Sequence, residues 1–302
     1  MTASIVLVHS DEYAGWVFSS SHPTQGRRFE NARARLLAHA ASNDVQVIEV
    51  ESDLLPSHEL LEAVHSPEYV DAVIGRGEAG EWAGERPDLG SIAHRMVGGT
   101  LLAADALMAD RARTAVHFAG AKHHAMRDHS SGFCVFSDLA VTAKYLLDGD
   151  SPVQRISIID IDAHHGDGTE ELLRDDPRVQ TMSVHDRSIF PGTGHADEPE
   201  REVFNDALSR GSGDAELAAA VSRFIGEVQR FNPDLLMLAI GADGHVTDPL
   251  SSLTYSIEGM AGVIASVRQA FPELPILIGG AGGYQPDDVT PEVWARMAIA
   301  AA

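Results

Sequence analysis

Seven short apolar segments alternate with stretches of helical periodicity, and this alternation constrains the fold more than any other feature of the sequence. The segments are rich in aliphatic and β-branched residues, and several are apolar on both faces. They are SIVLVH, VQVIEV, TAVHFA, RISIID, VQTMSV, DLLMLAI and PILIGG. Helical spacing is predicted between them, over residues 27–41, 57–79, 94–111, 137–148, 214–230, 255–270 and 290–302. The pattern predicts an α/β fold with a central, mostly parallel β-sheet and helices on both faces.

Composition narrows the classes of protein that this chain can belong to. The 302 residues are 44% hydrophobic without an obvious linker, so we predict one domain over residues 1–302. A net charge of −23 with scattered basic residues argues against nucleic acid as a partner. No apolar run is long enough to span a membrane, and MTASIVLVHS lacks the features of a secretory signal. These features predict a cytoplasmic protein without a membrane partner.

The single cysteine, Cys134, excludes an internal disulfide and a cysteine-based zinc site. Any bound metal must therefore be held by histidines and carboxylates.

Polar or glycine-rich segments follow five of the predicted strands. In chain order they are GAKHHAMRDHSSGFC, IDAHHGDG, HDRSIFPGTG, GADGHVTDPL and AGGYQPD. Ligands of open parallel sheets bind outside the carboxyl ends of the strands, where the connecting loops meet. We therefore expect the functional groups of these segments to lie at one edge of the sheet.

The segment IIDIDAHHGDGTEELL, residues 158–173, carries the strongest indication of a metal site. In an extended strand, Asp160, Asp162 and His164 would point to one side. Taken singly, each aspartate could be a turn residue, and the histidine could be a core residue with a hydrogen-bond partner. Together they favour a metal, because burying unpaired charge costs several kcal/mol. Asp162 and His164 are candidate zinc ligands, and Asp243 is the candidate third ligand.

A zinc-bound water can have a pKa near 7. For such a water to attack an amide, the site also needs a proton acceptor and a group that stabilises the oxyanion. The adjacent pair His123 and His124 follows the third predicted strand, and Asp160 and Asp167 could each pair with one imidazole. Such pairing would fix the tautomer of each ring and raise its pKa toward the range of an acid/base catalyst. Tyr284, which follows glycines, could direct its hydroxyl at a polarised carbonyl.

These segments resemble the arginase/deacetylase superfamily, and specifically the histone deacetylase family with its relatives, the acetylpolyamine amidohydrolases and acetoin-utilisation proteins. The resemblance covers most of the chain and rests on motifs in the same order. They are HPTQGRRFENARARL, HSPEYV, GAKHHA, SGFCVFSDLAVTA, DIDAHHGDGTEE, SVHDRSIFPGTG, GADGHVTDPL and GAGGY.

The resemblance implies a role for each matching residue. His124, backed by Asp167, matches the general base and acid; His123, backed by Asp160, matches its electrostatic neighbour; and Tyr284 matches the transition-state tyrosine. Zinc ligands are matched by Asp162, His164 and Asp243. The narrow tunnel for the alkyl stem of an acylated amine is matched by Gly132, Phe133, Phe190 and Leu250. A structural potassium site is matched by Asp160, Asp162, His164, Ser183 and Val184.

The expected function is therefore removal of an acetyl or other acyl group from an N-acylated amine by metal-activated water. Acetyl-lysine and small acetylated polyamines both remain open as substrates, and the oligomeric state is open. Zn²⁺ is the expected catalytic metal with Fe²⁺ or Co²⁺ as alternatives, and K⁺ is the structural ion. Two other functions are weighed, a binuclear manganese ureohydrolase-like enzyme and a catalytically silent acyl-ligand-binding protein on the same fold.

Three departures from the family pattern concern the loops. GAKHHA has Ala and Lys where a second Gly is usual, GAGGY has Ala in place of one Gly, and Ser137 precedes Asp138 where Asn is usual. These departures retain every side chain that the expected chemistry needs. They affect only the expected geometry of the loops.

Overall fold

One continuous parallel sheet of eight strands runs through residues 3–302, the part of the chain that the computed structural model describes. The strand order is β2-β1-β3-β8-β7-β4-β5-β6. The strands are β1 (Ser4–His9), β2 (Gln46–Glu51), β3 (Thr114–His117), β4 (Ile156–Asp160), β5 (Val179–Asp186), β6 (Val203–Leu208), β7 (Leu235–Ala239) and β8 (Ile276–Gly279). The predicted α/β fold with a parallel sheet is confirmed. The predicted domain of residues 1–302 also includes Met1 and Thr2, which lie outside the described residues.

The sequence prediction missed β6, which forms one edge of the sheet beside β5. Its first half is buried and its second half is half-buried, and its VFNDAL sequence is mixed in polarity. An edge strand pairs on one side only, so its sequence need not be apolar throughout. The interior strands β3, β4, β7 and β8 are buried at every position, which is why their apolar sequences were easy to recognise.

Helices pack against this sheet in two groups, and the members of each group contact one another. The first group includes α1 with α9, α8 and α7, and the second includes α4 with α5. The helices in the described residues are α1 (Arg27–Ser42), α2 (His58–Glu62), α3 (Pro67–Asp71), α4 (Pro87–Met108), α5 (Asp138–Asp148), α6 (Asp167–Leu173), α7 (Asp214–Phe231), α8 (Ile257–Ala270) and α9 (Val289–Ala300). None of them is long and apolar enough to cross a membrane.

The prediction of one helix over residues 57–79 is wrong. The chain forms α2, then α3, which continues into a turn of π-helix over Ala72–Arg76. Pro67 has no N–H and favours the first turn of a helix, and the Ser66 side chain accepts a hydrogen bond from Tyr69 N. A new helix therefore begins at Pro67.

Candidate active site

Asp162, His164 and Asp243 lie together in the loops that follow β4 and β7. Each offers a ligand atom, and these atoms lie within 4.8 Å of one another. His164 Nδ1 is 3.1 Å from Asp162 Oδ1 and 2.9 Å from Asp243 Oδ2. All three residues are buried. The arrangement is that of a small cation site with one imidazole and two carboxylates.

The electrostatics of the cluster favour a positive charge between the two carboxylates. Burial opposes protonation of His164, but its hydrogen bonds to Asp162 and Asp243 outweigh that effect and raise its pKa to about 11. Burial, with the neighbouring charge of Asp162, raises the pKa of Asp243. A divalent cation would neutralise both carboxylates, and zinc accepts this set of nitrogen and oxygen ligands. The residues present therefore fit the metal.

The loop that carries the first two ligands is curled, and the expectation of an extended strand through His164 is wrong. β4 ends at Asp160. Asp160 Oδ1 accepts a hydrogen bond from Asp162 N, and Asp162 Oδ1 accepts one from His164 N, each at 2.9 Å. Such aspartate turns replace the ladder of the sheet with local hydrogen bonds. They still direct Asp162 and His164 toward the same point.

Backbone groups from two other loops hold the carboxylates in place. Asp243 Oδ1 accepts a hydrogen bond from Ala163 N at 2.9 Å, and Asp162 Oδ2 accepts one from Gly282 N at 2.6 Å. A Cβ atom on Gly282 would lie closer than 3.0 Å to both Asp162 and Asp243. The absence of a side chain therefore allows the loop after β8 to approach the cluster.

His123 is held against the cluster by Asp160. Its Nδ1 is 2.6 Å from Asp160 Oδ2, and its Nε2 is 3.8 Å from Asp162 Oδ1. Burial alone would lower the pKa of His123, but the charges of Asp160 and Asp162 raise it to about 9. The two carboxylates thus favour the protonated form of His123.

His124 pairs with Asp167 at the start of α6, and the Nδ1–Oδ1 distance is 2.6 Å. Burial and the adjacent charge of His123 lower the pKa of His124 to about 4, and they outweigh Asp167, which raises it as predicted. The pKa therefore does not reach the range expected for an acid/base catalyst. Neutral His124 that donates Nδ1–H to Asp167 leaves Nε2 free to accept a proton. This is the protonation state that a general base requires.

Tyr284 lies beside the same cluster, with its ring centroid 6.4 Å from that of His164. Burial, with the nearby charges of Asp243 and Asp162, holds the pKa of Tyr284 well above its ordinary value, so the hydroxyl keeps its proton. Asp248 Oδ2 accepts a hydrogen bond from Tyr284 N at 2.9 Å. The hydroxyl is therefore a neutral hydrogen-bond donor on a loop that Asp248 fixes.

Three of the four predicted tunnel residues lie beside His124 or Tyr284. The Phe190 ring is 5.0 Å from the His124 ring and half exposed, whereas the Phe133 ring is 5.9 Å from the Tyr284 ring. A Cβ atom on Gly132 would collide with the His124 ring. Leu250 is half-buried, and its backbone N–H donates to Asp248.

The residues expected at the potassium site lie at the adjoining ends of β4 and β5. Asp160 is the partner of Ser183 in the parallel register of these strands, and Val184 follows Ser183 along β5. Asp186 N donates to Ala163 O, so the loop carrying Asp162 and His164 is attached to β5. The residues expected to bind potassium therefore lie on β4, on the loop that follows it, and on the adjacent strand β5.

Sequence reasoning gave no role to Arg28, Asp138 or Asp248, all of which are buried beside the cluster. Arg28 NH1 donates to Gly283 O at 2.8 Å, next to Tyr284. The available signal was helical spacing: Arg28 is one of the positions of α1 that point into the core, four residues before Ala32. A charged residue at a core-facing position indicates a polar contact in the interior.

The two alanines that depart from the family pattern both adopt left-handed backbone conformations. Ala121 has φ 59° and Ala281 has φ 57°. This region favours glycine because a Cβ atom is strained there. The loops therefore keep a glycine-like backbone with alanine, and backbone strain is present on two sides of the cluster.

Comparison with known proteins gives the family of this chain. The histone deacetylase domain matches residues 22–300, and the chain therefore belongs to the histone deacetylase family. It is 32% identical to the acetoin utilization protein AcuC of Bacillus subtilis (strain 168), over 97% of this chain and 80% of that protein. The AcuC proteins of Staphylococcus aureus (strain COL) and Staphylococcus xylosus are 28% and 26% identical, over 98% and 97% of this chain and 81% of each relative. The chain is thus a hydrolase of the histone deacetylase family.

Proposed function

We propose that this protein is a zinc-dependent amidohydrolase that removes an acetyl or related acyl group from an amine on a slender alkyl stem. The observation that carries the proposal is the convergence of Asp162, His164 and Asp243 with His124 and Tyr284 around one buried point. A silent ligand-binding protein would not need a neutral base and a protonated tyrosine beside a cation site.

Asp162, His164 and Asp243 would hold the metal. Bound zinc would polarise the acyl carbonyl and lower the pKa of water at the site. Fe²⁺ and Co²⁺ prefer similar ligands, so the metal present in the cell depends on its supply as well as on these residues.

His124, Tyr284 and His123 supply the proton chemistry. Neutral His124 accepts a proton from the attacking water through Nε2 and later returns it to the departing amine. The Tyr284 hydroxyl donates a hydrogen bond to the oxygen of the carbonyl as negative charge develops there. Charged His123, fixed by Asp160, stabilises the same negative charge without transferring its proton.

In this proposal the amine side of the substrate would extend past Phe133 and Phe190. Glu81 Oε2 accepts a hydrogen bond from Phe133 N at 3.1 Å. The residues that flank Glu81 in sequence, Gly80 and Trp82, line an open pocket of about 510 Å³ together with Glu78, Glu85, Asp128 and His129. Together with the net charge of −23, this surface favours a substrate with a further positive charge beyond the scissile amide. Acetylated polyamines fit this description, and so does acetyl-lysine in a basic peptide.

Replacing Tyr284 by phenylalanine tests the mechanism. Removing one oxyanion donor costs about 2.7–4 kcal/mol, so kcat should fall about 10²–10³-fold with little change in KM. The matched control is Tyr145→Phe, because Tyr145 is exposed on α5 and its hydroxyl bonds only a surface carboxylate. Near-normal turnover by Tyr284→Phe would remove this residue from the mechanism.

A metal and substrate panel tests the function itself. Protein stripped by a chelator should lose hydrolysis of acetyl-lysine peptides, N-acetylputrescine and N-acetylspermidine, and added zinc should restore it. One metal ion per active site by elemental analysis is expected. Absence of hydrolysis of every N-acyl amine by the metal-loaded protein would contradict the proposal.

A further inference from the structure

Two buried cations lie behind Tyr284 without a carboxylate partner. Arg28 is 3% exposed, and Lys122, one of only two lysines in the chain, is 5% exposed. Among residues 3–302, neither of them forms an ion pair within 4.0 Å. Burying unpaired charge costs several kcal/mol, so a structure that retains two such charges at one place calls for an explanation.

Arg28 and Lys122 face the same small cavity. Both lie over the Phe29 ring, with Arg28 Cζ 5.0 Å and Lys122 Nζ 5.5 Å from its centroid. About 20 Å³ of the cavity is open to the centre of a water molecule. Tyr284 and His123 also line it, so the cavity adjoins the position that we propose for the acyl carbonyl.

Two residues that line this cavity have buried hydrogen-bond donors without partners. Within the described part of the chain, the buried Arg28 Nε and the buried Thr24 hydroxyl have no hydrogen-bond partner. Thr24 is 1% exposed and lines the same cavity. An unsatisfied buried donor costs about 1–3 kcal/mol. The cavity therefore offers positive charge and unused donors, and no carboxylate is among the residues that line it.

We propose that this cavity binds a carboxylate at the far end of the substrate's acyl group, so that the enzyme hydrolyses dicarboxylic acylamides such as N-malonyl amines. This inference rests on the function proposed above. A carboxylate accepts two parallel hydrogen bonds from a guanidinium and pairs with an ammonium, which matches Arg28 and Lys122. An acetyl methyl group in the same place would leave both cations unpaired.

The size of the cavity sets the length of the acyl group. One water needs about 10–15 Å³ measured in this way, so the space accommodates a compact carboxylate but not a long apolar chain. Malonyl places its carboxylate one methylene beyond the carbonyl, and we expect it to be preferred to longer dicarboxylic groups. Burial and the charge of Arg28 lower the pKa of Lys122 to about 8, which leaves the ammonium form dominant at pH 7.

The reaction needs no additional reactant. Water adds to the amide carbonyl carbon, and the C–N bond breaks. The amine leaves with one proton, and malonate is released with its second carboxylate newly formed. The distal carboxylate is unchanged throughout, so Arg28 and Lys122 act as specificity-determining residues and not as catalytic ones.

A matched substrate pair tests the proposal in the metal-loaded enzyme. N-malonyl and N-malonamoyl derivatives of the same amine have nearly the same shape, and only the first carries the negative charge. We expect kcat/KM to favour the malonyl substrate at least 10-fold, and Lys122→Met to reduce this ratio about 10-fold or more. The control is Lys144→Met, because Lys144 pairs with Asp176 away from the cavity and its loss should leave the ratio unchanged. Equal rates for the two substrates, or an unchanged ratio in Lys122→Met, would overturn the proposal.

A binding measurement separates this inference from the proposed function. With ¹³C at the lysine ε position, NMR should show one signal for each of the two lysines of the wild-type enzyme. Malonate should raise the pKa reported by the Lys122 signal and leave the Lys144 signal unchanged. This result would support the carboxylate site even if no acylamide were hydrolysed. A Lys122 signal that does not change when malonate is added would overturn the proposal. An equal response to acetate would also overturn it, because the cavity would then bind a released monocarboxylate.

Discussion

Replacing Asp138 by asparagine tests which buried group positions the two adjacent histidines. Asp138 is fully buried at the start of α5, and its carboxylate accepts three hydrogen bonds. Oδ1 accepts from Lys122 N at 2.7 Å, and Oδ2 accepts from Ala121 N at 2.9 Å and from the Thr100 hydroxyl at 2.5 Å. Because Ala121 and Lys122 directly precede His123, Asp138 fixes the loop that carries the candidate acid/base pair.

The magnitude follows from the hydrogen bonds that an asparagine cannot make. Its amide has one accepting oxygen, and its NH₂ group would face a backbone N–H in either orientation. The less costly orientation keeps the bonds of Ala121 and Thr100 and loses that of Lys122 N. A hydrogen bond to a charged group is worth about 1.5–3 kcal/mol, and a buried unpaired donor costs about 1–3 kcal/mol. We therefore expect Asp138→Asn to lower the free energy of unfolding by about 3–5 kcal/mol.

Urea unfolding followed by circular dichroism measures this change, with Asp148→Asn as the matched control. Asp148 is an exposed carboxylate at the other end of α5 that pairs with Arg178, and its loss should cost less than about 0.5 kcal/mol. At a temperature where Asp138→Asn is folded, kcat should fall more than KM changes, because the imidazoles are displaced. Unfolding within about 0.5 kcal/mol of the wild type, together with an unchanged kcat, would refute a positioning role.

Two further predictions concern the metal and the pH dependence of stability. Gly282→Ala should reduce the metal content after dialysis against a chelator, because its Cβ atom would push apart Asp162 and Asp243, whereas Gly262→Ala on α8 meets no atom within 4 Å and should retain the metal. His65 is buried, and burial lowers its pKa to about 4. Its folded-state pKa lies below the unfolded value of about 6.5, so its contribution is fully present above pH 6.5 and is lost as the pH falls toward 4. Urea titrations should show that His65→Gln loses about 2 kcal/mol less stability than the wild type between pH 7 and pH 5, and equal losses would contradict this assignment.

The strand ends were the most predictable part of the molecule. Parallel strands place their carboxyl ends at one edge of the sheet, so the motifs after β4 and β7 had to meet once the strands were recognised. Periodicity was enough for the interior strands because both of their faces are buried. It was not enough for β6, since an edge strand mixes polar and apolar residues, or for residues 57–79, where local capping at Ser66 overrides a continuous helical pattern.

Contacts between distant segments were the least predictable part. Asp138 reads as an ordinary residue in the first turn of a helix, and only the fold shows that its carboxylate accepts hydrogen bonds from residues 121 and 122. In the sequence, Arg28 is the second of two adjacent arginines at the start of a helix. Only the fold shows that the loop after β8, which is distant in sequence, packs against it. Sequence spacing describes which residues share a face, but it does not specify the partner of that face.

The aspartates of the candidate metal site have a second role that explains why the loops converge. Asp162 accepts hydrogen bonds from His164 N and Gly282 N, and Asp243 accepts one from Ala163 N. These bonds link the loops after β4, β7 and β8 through backbone groups, which help to fix the positions of the carboxylates. Their proximity opposes this arrangement, because burial and the charge of Asp162 raise the pKa of Asp243. A cation between them would remove that repulsion, so we expect metal binding to stabilise the cluster that the backbone hydrogen bonds bring together.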